Sequence, residues 1–341
     1  MMNAAIVGLG WWGKTLVESL ADGGDAIRFV AGATRTMSAE AEAFAKQHGL
    51  RLAASYEALL ADPKIDAVVL ATPPLGHTAQ VTAAAAAGKH VFCEKPFTLD
   101  RQGAEAAVEA VRKAGVTLAL GYSRRFHPEM TKLRERVRSG GLGTIMHVEA
   151  TMTVPNALFL KPSAWRANRA EAPCGGLTPL GVHAIDGMID LCGEIDQLYC
   201  QSFRRAVEVE TDDTTSVLFH TKGGASGYLG TMMATGPGFS FQVFGSKGWV
   251  RLEGMTHVAG ASSEERRTRL FGACKFQPVK GDGEVWEADK LDITRVCLEA
   301  FAGAASGGPA FPISHAEMIH GAAVTEAVVR SAASGRVERV G

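Results

Sequence analysis

Three short clusters in this chain combine residue types and spacings that chemistry could use. The first, Gly8-Leu9-Gly10-Trp11-Trp12-Gly13, follows an apolar run at 4–7 and precedes a stretch of helical composition. The G-x-G-x-x-G spacing between strand and helix is that of a pyrophosphate cradle. The first glycine permits a tight turn, the second lets a phosphate approach the backbone, and the third lets helix and strand pack closely. The helix N-terminus then faces the negative charge. The second cluster, Thr34-Arg35-Thr36, ends the next apolar run, where an NAD site places an Asp or Glu for the ribose 2′-hydroxyl. No carboxylate stands there. Arg35 suits a 2′-phosphate and Thr34 adds a hydroxyl, so NADP is the preferred cofactor and NAD the second choice. The third, Glu94-Lys95-Pro96, closes the run 90–93. A charged pair at the carboxyl end of a buried parallel strand lies where open α/β sheets bind ligands, and the proline restricts Lys95 to an extended conformation. Each cluster also has a plainer reading: an ordinary strand–turn–helix connection, a solvated surface arginine, and a surface Glu94–Lys95 ion pair.

The elements that must position these clusters follow from periodicity. Apolar runs at 4–7, 28–33, 67–71, 90–93 and 116–120 alternate with helix-forming stretches at 14–21, 38–48, 56–60, 77–87 and 101–113. Strands buried on both faces and separated by helices predict a doubly wound parallel sheet. After residue 120 the pattern changes. Segments 144–154, 197–205, 214–221, 225–234, 240–244 and 248–252 alternate with period 2 and are separated by turns such as Lys222-Gly223-Gly224. Two helical stretches, 293–305 and 315–333, come near the end. The expected fold is α/β: a Rossmann doubly wound parallel sheet over 1–121, then an α+β domain over 122–341 with a large, mostly antiparallel open sheet. That second domain would bind substrate and form the oligomer.

Composition excludes several other classes. With 341 residues, 46% hydrophobic, the chain has material for two domains. A formal net charge of −1, with no long basic run, argues against a nucleic-acid partner. No apolar stretch reaches about 18 residues, and no positive n-region precedes the first strand, so neither a membrane span nor a secretory leader is expected. The six cysteines show no C-x-x-C spacing and no H-E-x-x-H run occurs, so neither a disulfide scaffold nor a metal site is predicted. The expectation is a soluble cytoplasmic protein whose partners are a small-molecule substrate and copies of itself.

In this order the motifs resemble those of the Gfo/Idh/MocA oxidoreductases (glucose–fructose oxidoreductase, inositol dehydrogenase and relatives) along essentially the whole chain. They comprise Gly8–Gly13, Ala71-Thr72-Pro73 with His77, Gly88-Lys89-His90-Val91 leading into Glu94-Lys95-Pro96, and Gly121-Tyr122-Ser123-Arg124-Arg125-Phe126. Gly175-Gly176 with Gly181-Val182-His183 and Asp186 completes the series. The resemblance implies that Lys95 sits beside nicotinamide and substrate and that His183 meets it from the second domain. It extends the cofactor set from Gly8, Gly10, Trp11, Trp12, Gly13, Thr34 and Arg35 to Thr72, Pro73, His77, Glu94, Lys95 and Arg166. Tyr122, Arg124, Trp165, Thr178 and His183 are substrate candidates. A lysine at its reference pKa of about 10.4 is a poor base, but burial beside a cationic nicotinamide lowers that pKa toward about 7–8. His183 could equally be a core or capping histidine. Trp165-Arg166 could be an aromatic packed under a loop beside a solvated arginine.

The chain departs from the family pattern at Pro179, where many members carry an Asp four residues before the histidine, and at Pro74, where an asparagine is common. The usual Lys–Asp–His trio is thereby reduced to Lys95 and His183. The leading expectation is hydride transfer between nicotinamide and a hydroxyl or carbonyl carbon of a sugar, cyclitol, cyclic diol or related small polar molecule. A redox-neutral enzyme that cleaves or eliminates a glycoside through transient oxidation is the alternative; a non-catalytic dinucleotide-binding regulator is a further one. The second domain has too few helices to cover both faces of its sheet. A homodimer, or a tetramer of such dimers, is therefore expected through a face showing Leu218, Tyr228 and Met232 or their alternating neighbours. The resemblance points the same way.

Overall fold

The apolar runs of the first third assemble side by side because each is hydrophobic on both faces. In this computed structural model, which describes residues 1–21, 23–255 and 262–341, they form a parallel sheet. Its strands are β1 (Met2–Val7), β2 (Ile27–Ala33), β3 (Arg51–Leu52), β4 (Ala67–Leu70), β5 (His90–Cys93) and β6 (Leu118–Leu120), in the order β3-β2-β1-β4-β5-β6. All four residues of β4 and all three of β6 are buried. The connecting helices are α1 (Trp11–Glu18), α2 (Ala39–Gln47), α3 (Tyr56–Leu60), α4 (His77–Ala86) and α5 (Arg101–Ala114). Local chemistry sets their ends. Ser38, Ser55 and Asp100 cap α2, α3 and α5 by accepting backbone N–H bonds, and Gly115 closes α5 in the left-handed region. Strand order reverses between β1 and β4, so their carboxyl ends open the crevice where such sheets bind ligands. The predicted Rossmann domain is present, and β3, two residues long, is a strand that periodicity alone does not predict.

The second sheet has nine strands in the order β14-β13-β12-β11-β7-β10-β9-β8-β15. The elements run α6 (Pro128–Arg138), β7 (Ile145–Thr153), α7 (Gly181–Cys192), β8 (Ile195–Phe203), β9 (Thr214–Thr221), β10 (Ser226–Met232), β11 (Gly238–Gly245), β12 (Gly248–Gly254), α8 (Ser263–Thr268), β13 (Phe271–Pro278), β14 (Glu284–Glu287), α9 (Ile293–Ala305), α10 (His315–Ser334) and β15 (Glu338–Arg339). All neighbours are antiparallel except the central pair β7–β10. Val148, Ala150 and Met152 of β7 point into a core shared with Ile185 and Met188 of α7 and Val324 and Val328 of α10. The opposite face carries His147, Glu149 and Thr151 on β7, with Tyr228 and Leu218 paired across β10 and β9 and Leu218 56% exposed. Helix α6, not among the predicted elements, sets Met130, Leu133 and Val137 at i, i+3 and i+7 against the core. It buries Met130, Leu133 and a carboxylate, Glu129, which accepts from Trp286 Nε1 at 2.6 Å.

Contacts divide the chain into two compact units, 1–123 with 292–319, and 124–291 with 320–341. A two-segment division at 121/122 misses this return. Its cause is apolar: Phe301 of α9 meets Phe92 of β5 at 5.8 Å, and Cys297 Sγ lies 3.8 Å from Leu120 O, so α9 is part of the first unit's core. Among the described residues no helix is long and apolar enough to cross a membrane.

In the second unit α7 is held by buried charge. Arg125 grips Asp186 with two bonds, Nε to Oδ2 and Nη2 to Oδ1, both 2.9 Å, with the side chains 3% and 6% exposed. Asp190, one turn further, accepts from Arg134 Nε at 2.6 Å and lies 3.6 Å from Arg125. Removing one partner of such a pair leaves an uncompensated buried charge. Asp186→Ala is therefore expected to lower unfolding free energy by about 3–5 kcal/mol, read from urea denaturation.

Candidate nucleotide and substrate site

At the end of β1 the chain turns through Gly8, whose φ of +99° suits glycine, and the Gly8 amide donates to Ala33 O at 2.8 Å. A Cβ on Gly8 would stand 2.6 Å from Ala71 O, and one on Gly13 would stand 1.9 Å from Gly8 O. These two glycines are demanded by the close packing of α1 on the β1 and β4 ends. Gly10 differs. It is the exposed N-cap of α1, and a Cβ there would meet nothing within 4 Å. The first turn of α1 holds no acidic residue. Open space over a helix N-terminus, without a competing carboxylate, fits the pyrophosphate of a dinucleotide. Trp11 is 49% exposed and its ring lies 5.4 Å from that of Trp12.

The β2 end places Thr34 half-buried and Arg35 exposed, and Arg35 makes no ion pair among the described residues. Thr34 Oγ1 donates weakly to Thr36 O at 3.4 Å. Lys14 of α1 is spent on Glu40 of α2, whose carboxyl it holds below the usual range. Arg35 is thus a cation left available at the strand end.

The β4 and β5 turns are tied together by His77. It is fully buried, with Nδ1 facing Pro96 O at 2.9 Å and Phe97 O at 3.0 Å, and Nε2 facing Thr72 O at 3.0 Å. Burial lowers its pKa. His77, which the resemblance implies as a cofactor contact, faces backbone carbonyls with both ring nitrogens and so ties the Thr72 turn to the Pro96 turn. Thr72 Oγ1 is bonded to Gln80 Oε1 at 2.6 Å, and Pro73 begins the short turn Pro74–Gly76. Lys89 is likewise structural, donating to Asp62 O and Ile65 O at 2.9 and 2.7 Å. Glu94 is 4% exposed. Burial raises its carboxyl pKa, opposed by the Lys95 charge and the Trp12 indole. Its Oε2 accepts from the Lys95 amide at 3.2 Å, while the Lys95 side chain is half-buried.

Tyr122, at the end of β6, is 7% exposed. In the second unit, His183 lies half-buried in the first turn of α7, the helix that Arg125 and Asp186 anchor. The preceding turn is tightly determined: Cys174 and Gly175 have φ of 53° and 48°, and a Gly175 Cβ would fall 1.6 Å from Asp212 O. Thr178 is 1% exposed. Arg166 stacks on Trp165, 4.2 Å from ring centroid to guanidinium carbon, so these two side chains occupy each other. Arg124 is 8% exposed and lies 4.7 Å over the Phe239 ring. Glu94, Arg125 and Asp186 stand within the quoted motifs, but the burial of Glu94 and the Arg125–Asp186 clamp are not read from them.

Residues 2–122 match the Gfo/Idh/MocA oxidoreductase family, NAD-binding Rossmann fold, and residues 130–251 match the Gfo/Idh/MocA C-terminal domain. The chain belongs to the Gfo/Idh/MocA family of oxidoreductases. It is 27% identical over 295 residues to trans-1,2-dihydrobenzene-1,2-diol dehydrogenase of Mus musculus, covering 85% of each chain. It is 26% identical over 284 residues to myo-inositol 2-dehydrogenase of Thermotoga maritima, covering 79% of this chain and 80% of that one. A crystal structure of a candidate NADPH-dependent oxidoreductase from Desulfitobacterium hafniense superposes with TM-score 0.89 at 25% identity, over 99% of this chain and 97% of the other.

For this family member the cradle separates two kinds of glycine. Gly10→Ala is expected to keep its fold yet weaken dinucleotide binding at least about tenfold, or about 1.4 kcal/mol. Gly13→Ala should lose stability first. Tryptophan fluorescence titration and thermal melts distinguish the two.

Proposed function

We propose that this protein is a dehydrogenase/reductase that prefers NADP, with NAD second, and acts on a CH–OH carbon of a sugar, cyclitol, cyclic diol or related small polar compound. The observation that carries the reading is Glu94-Lys95-Pro96 at the carboxyl end of β5, in the same sheet as an open glycine cradle. The names of the inositol and dihydrodiol dehydrogenases support the substrate class. A bound nicotinamide supplies the hydride acceptor or donor. Lys95 takes the hydroxyl proton during oxidation and returns it during reduction, while His183 hydrogen-bonds the reacting oxygen. Pro179 offers no side-chain acceptor, so Lys95 carries the proton transfer without an aspartate at that position. His77 and the buried Glu94 hold the backbone that presents Lys95.

Screening sugars, cyclitols and cyclic diols with NADP and NAD at the nicotinamide absorbance tests the reading. Release of a leaving group with no net absorbance change would instead indicate the redox-neutral glycoside-cleaving alternative; dinucleotide binding with no turnover of any kind would indicate a regulator. Lys95→Ala is expected to lower turnover by about 10²–10⁴ with little change in dinucleotide affinity. A variant near wild-type turnover rejects this role.

Arg35→Ala should weaken NADP binding by roughly 1.5–3 kcal/mol and NAD binding far less. Equal losses, or a wild-type preference for NAD, overturn the cofactor assignment. The nine-stranded sheet's open face, with Leu218 and Tyr228 side by side, supports a homodimer or a tetramer of dimers. Light scattering at micromolar concentration is expected to exceed the 36.0 kDa of one chain, and a monomer would contradict it. Six free cysteines fit a reducing cytoplasm.

A further inference from the structure

Arg124 and Arg125 are sequence neighbours, equally buried and oppositely treated. Arg125 has Asp186 and Asp190. Arg124 has the Met152 thioether at 3.3 Å and the face of Phe239, and among the described residues no carboxylate. A thioether is a weak acceptor and a ring face neutralises no charge, so a five-donor cation is buried without a counter-anion. Burial lowers its pKa only to about 9, leaving it charged at neutral pH.

A second observation lies beside it. The hydroxyls of Thr178 and Thr231, each 1% exposed, have no hydrogen-bond partner. Phe239, Met152 and Thr231 form one row across β11, β7 and β10, and all three are buried on the helix-covered face. Arg124 lies on the first two of these residues. Gly176 packs on the third, where a Cβ would stand 2.6 Å from Thr231 Oγ1, and Thr178 follows two residues later. Residues 174–183 contain no acidic side chain, Pro179 included, so no protein anion from that turn competes.

We propose that Arg124, with the Thr231 and Thr178 hydroxyls, binds a substrate carboxylate, so that the preferred CH–OH substrate is a sugar acid or other small hydroxy acid rather than a neutral polyol. This deepens, and rests on, the oxidoreductase reading. A carboxylate suits the site better than a phosphate because one guanidinium balances one negative charge, and two hydroxyls can donate to its remaining lone pairs. A phosphate dianion would keep a buried surplus charge.

The test has a binding arm and a turnover arm. In thermal melts with NADP present, D-glucuronate and D-galacturonate at about 20 mM are expected to raise Tm of the wild type above that with equimolar sodium chloride, while D-glucose, D-galactose and D-glucose 6-phosphate do not. Arg124→Met should abolish the rise and Arg124→Lys should restore part of it. Because Arg124 has no protein anion to leave stranded, ligand-free Arg124→Met should melt at or above the wild-type temperature. In turnover, kcat/KM for the acids should exceed that for the neutral sugars at least about tenfold, and Arg124→Met should collapse that ratio. No Tm rise with either acid, an equal rise in Arg124→Met, or a ligand-free variant several degrees less stable overturns the proposal. Acid-specific stabilisation without nicotinamide turnover would uphold the anion site and sink the oxidoreductase reading. Turnover of neutral polyols with no acid preference would do the reverse.

Discussion

The first unit depends on a contact with no clearance. Helix α1 starts where Gly13 meets the carbonyl of Gly8, and Gly8 in turn meets Ala71 at the end of β4. Any side chain at either position would push α1 off the sheet edge at the switch point. That closeness aims the N-terminus of α1 across the carboxyl ends of β1 and β4, where backbone N–H groups and the helix dipole favour an anion. Gly10 then performs a different service by leaving space. Three glycines of one motif thus differ: packing demands two of them, and the third leaves the helix N-terminus open.

The lysine turn is built on a comparable economy of backbone. His77 spans two loops that belong to different strands and meets three carbonyls with two nitrogens, buried beyond reach of solvent. Lys89 meets two more carbonyls behind β4. The Lys89 ammonium and the one N–H of a neutral His77 donate to main-chain carbonyls that a buried turn would otherwise leave unpaired. Beside these satisfied groups the Lys95 side chain stays half-buried at the end of β5.

In the second unit, two adjacent buried arginines differ in what surrounds them. Arg125 is consumed in locking α7 to the segment that includes α6, a network that orients the first turn bearing His183. Arg124, one residue earlier, settles on Phe239 and Met152, with no carboxylate beside it among the described residues. A buried ion pair and a buried cation without a counter-anion have very different energies.

Much of the first unit was legible in the chain itself. Runs such as Ala67–Leu70, apolar at every position, can be satisfied only between two helical layers, and the glycine spacing fixes where the phosphate cradle falls. Five of the six strands and all five helices of that sheet follow from local pattern, whereas β3 has too few residues to show a period. The second unit was less legible. Its antiparallel character showed in the period-2 runs, but the stripe of α6 is only three residues, Met130, Leu133 and Val137, in a strongly charged stretch, and the parallel pairing of β7 with β10 joins residues some eighty positions apart. The return of α9 to the first unit likewise rests on Phe301 finding Phe92. Residue type does not show that His77 would face three backbone carbonyls or that Arg125, and not Arg124, would meet two aspartates. Their roles were decided by which carbonyls and carboxylates the folded chain brings within hydrogen-bond reach, because the energy of a polar group depends on its partners and burial rather than on its identity.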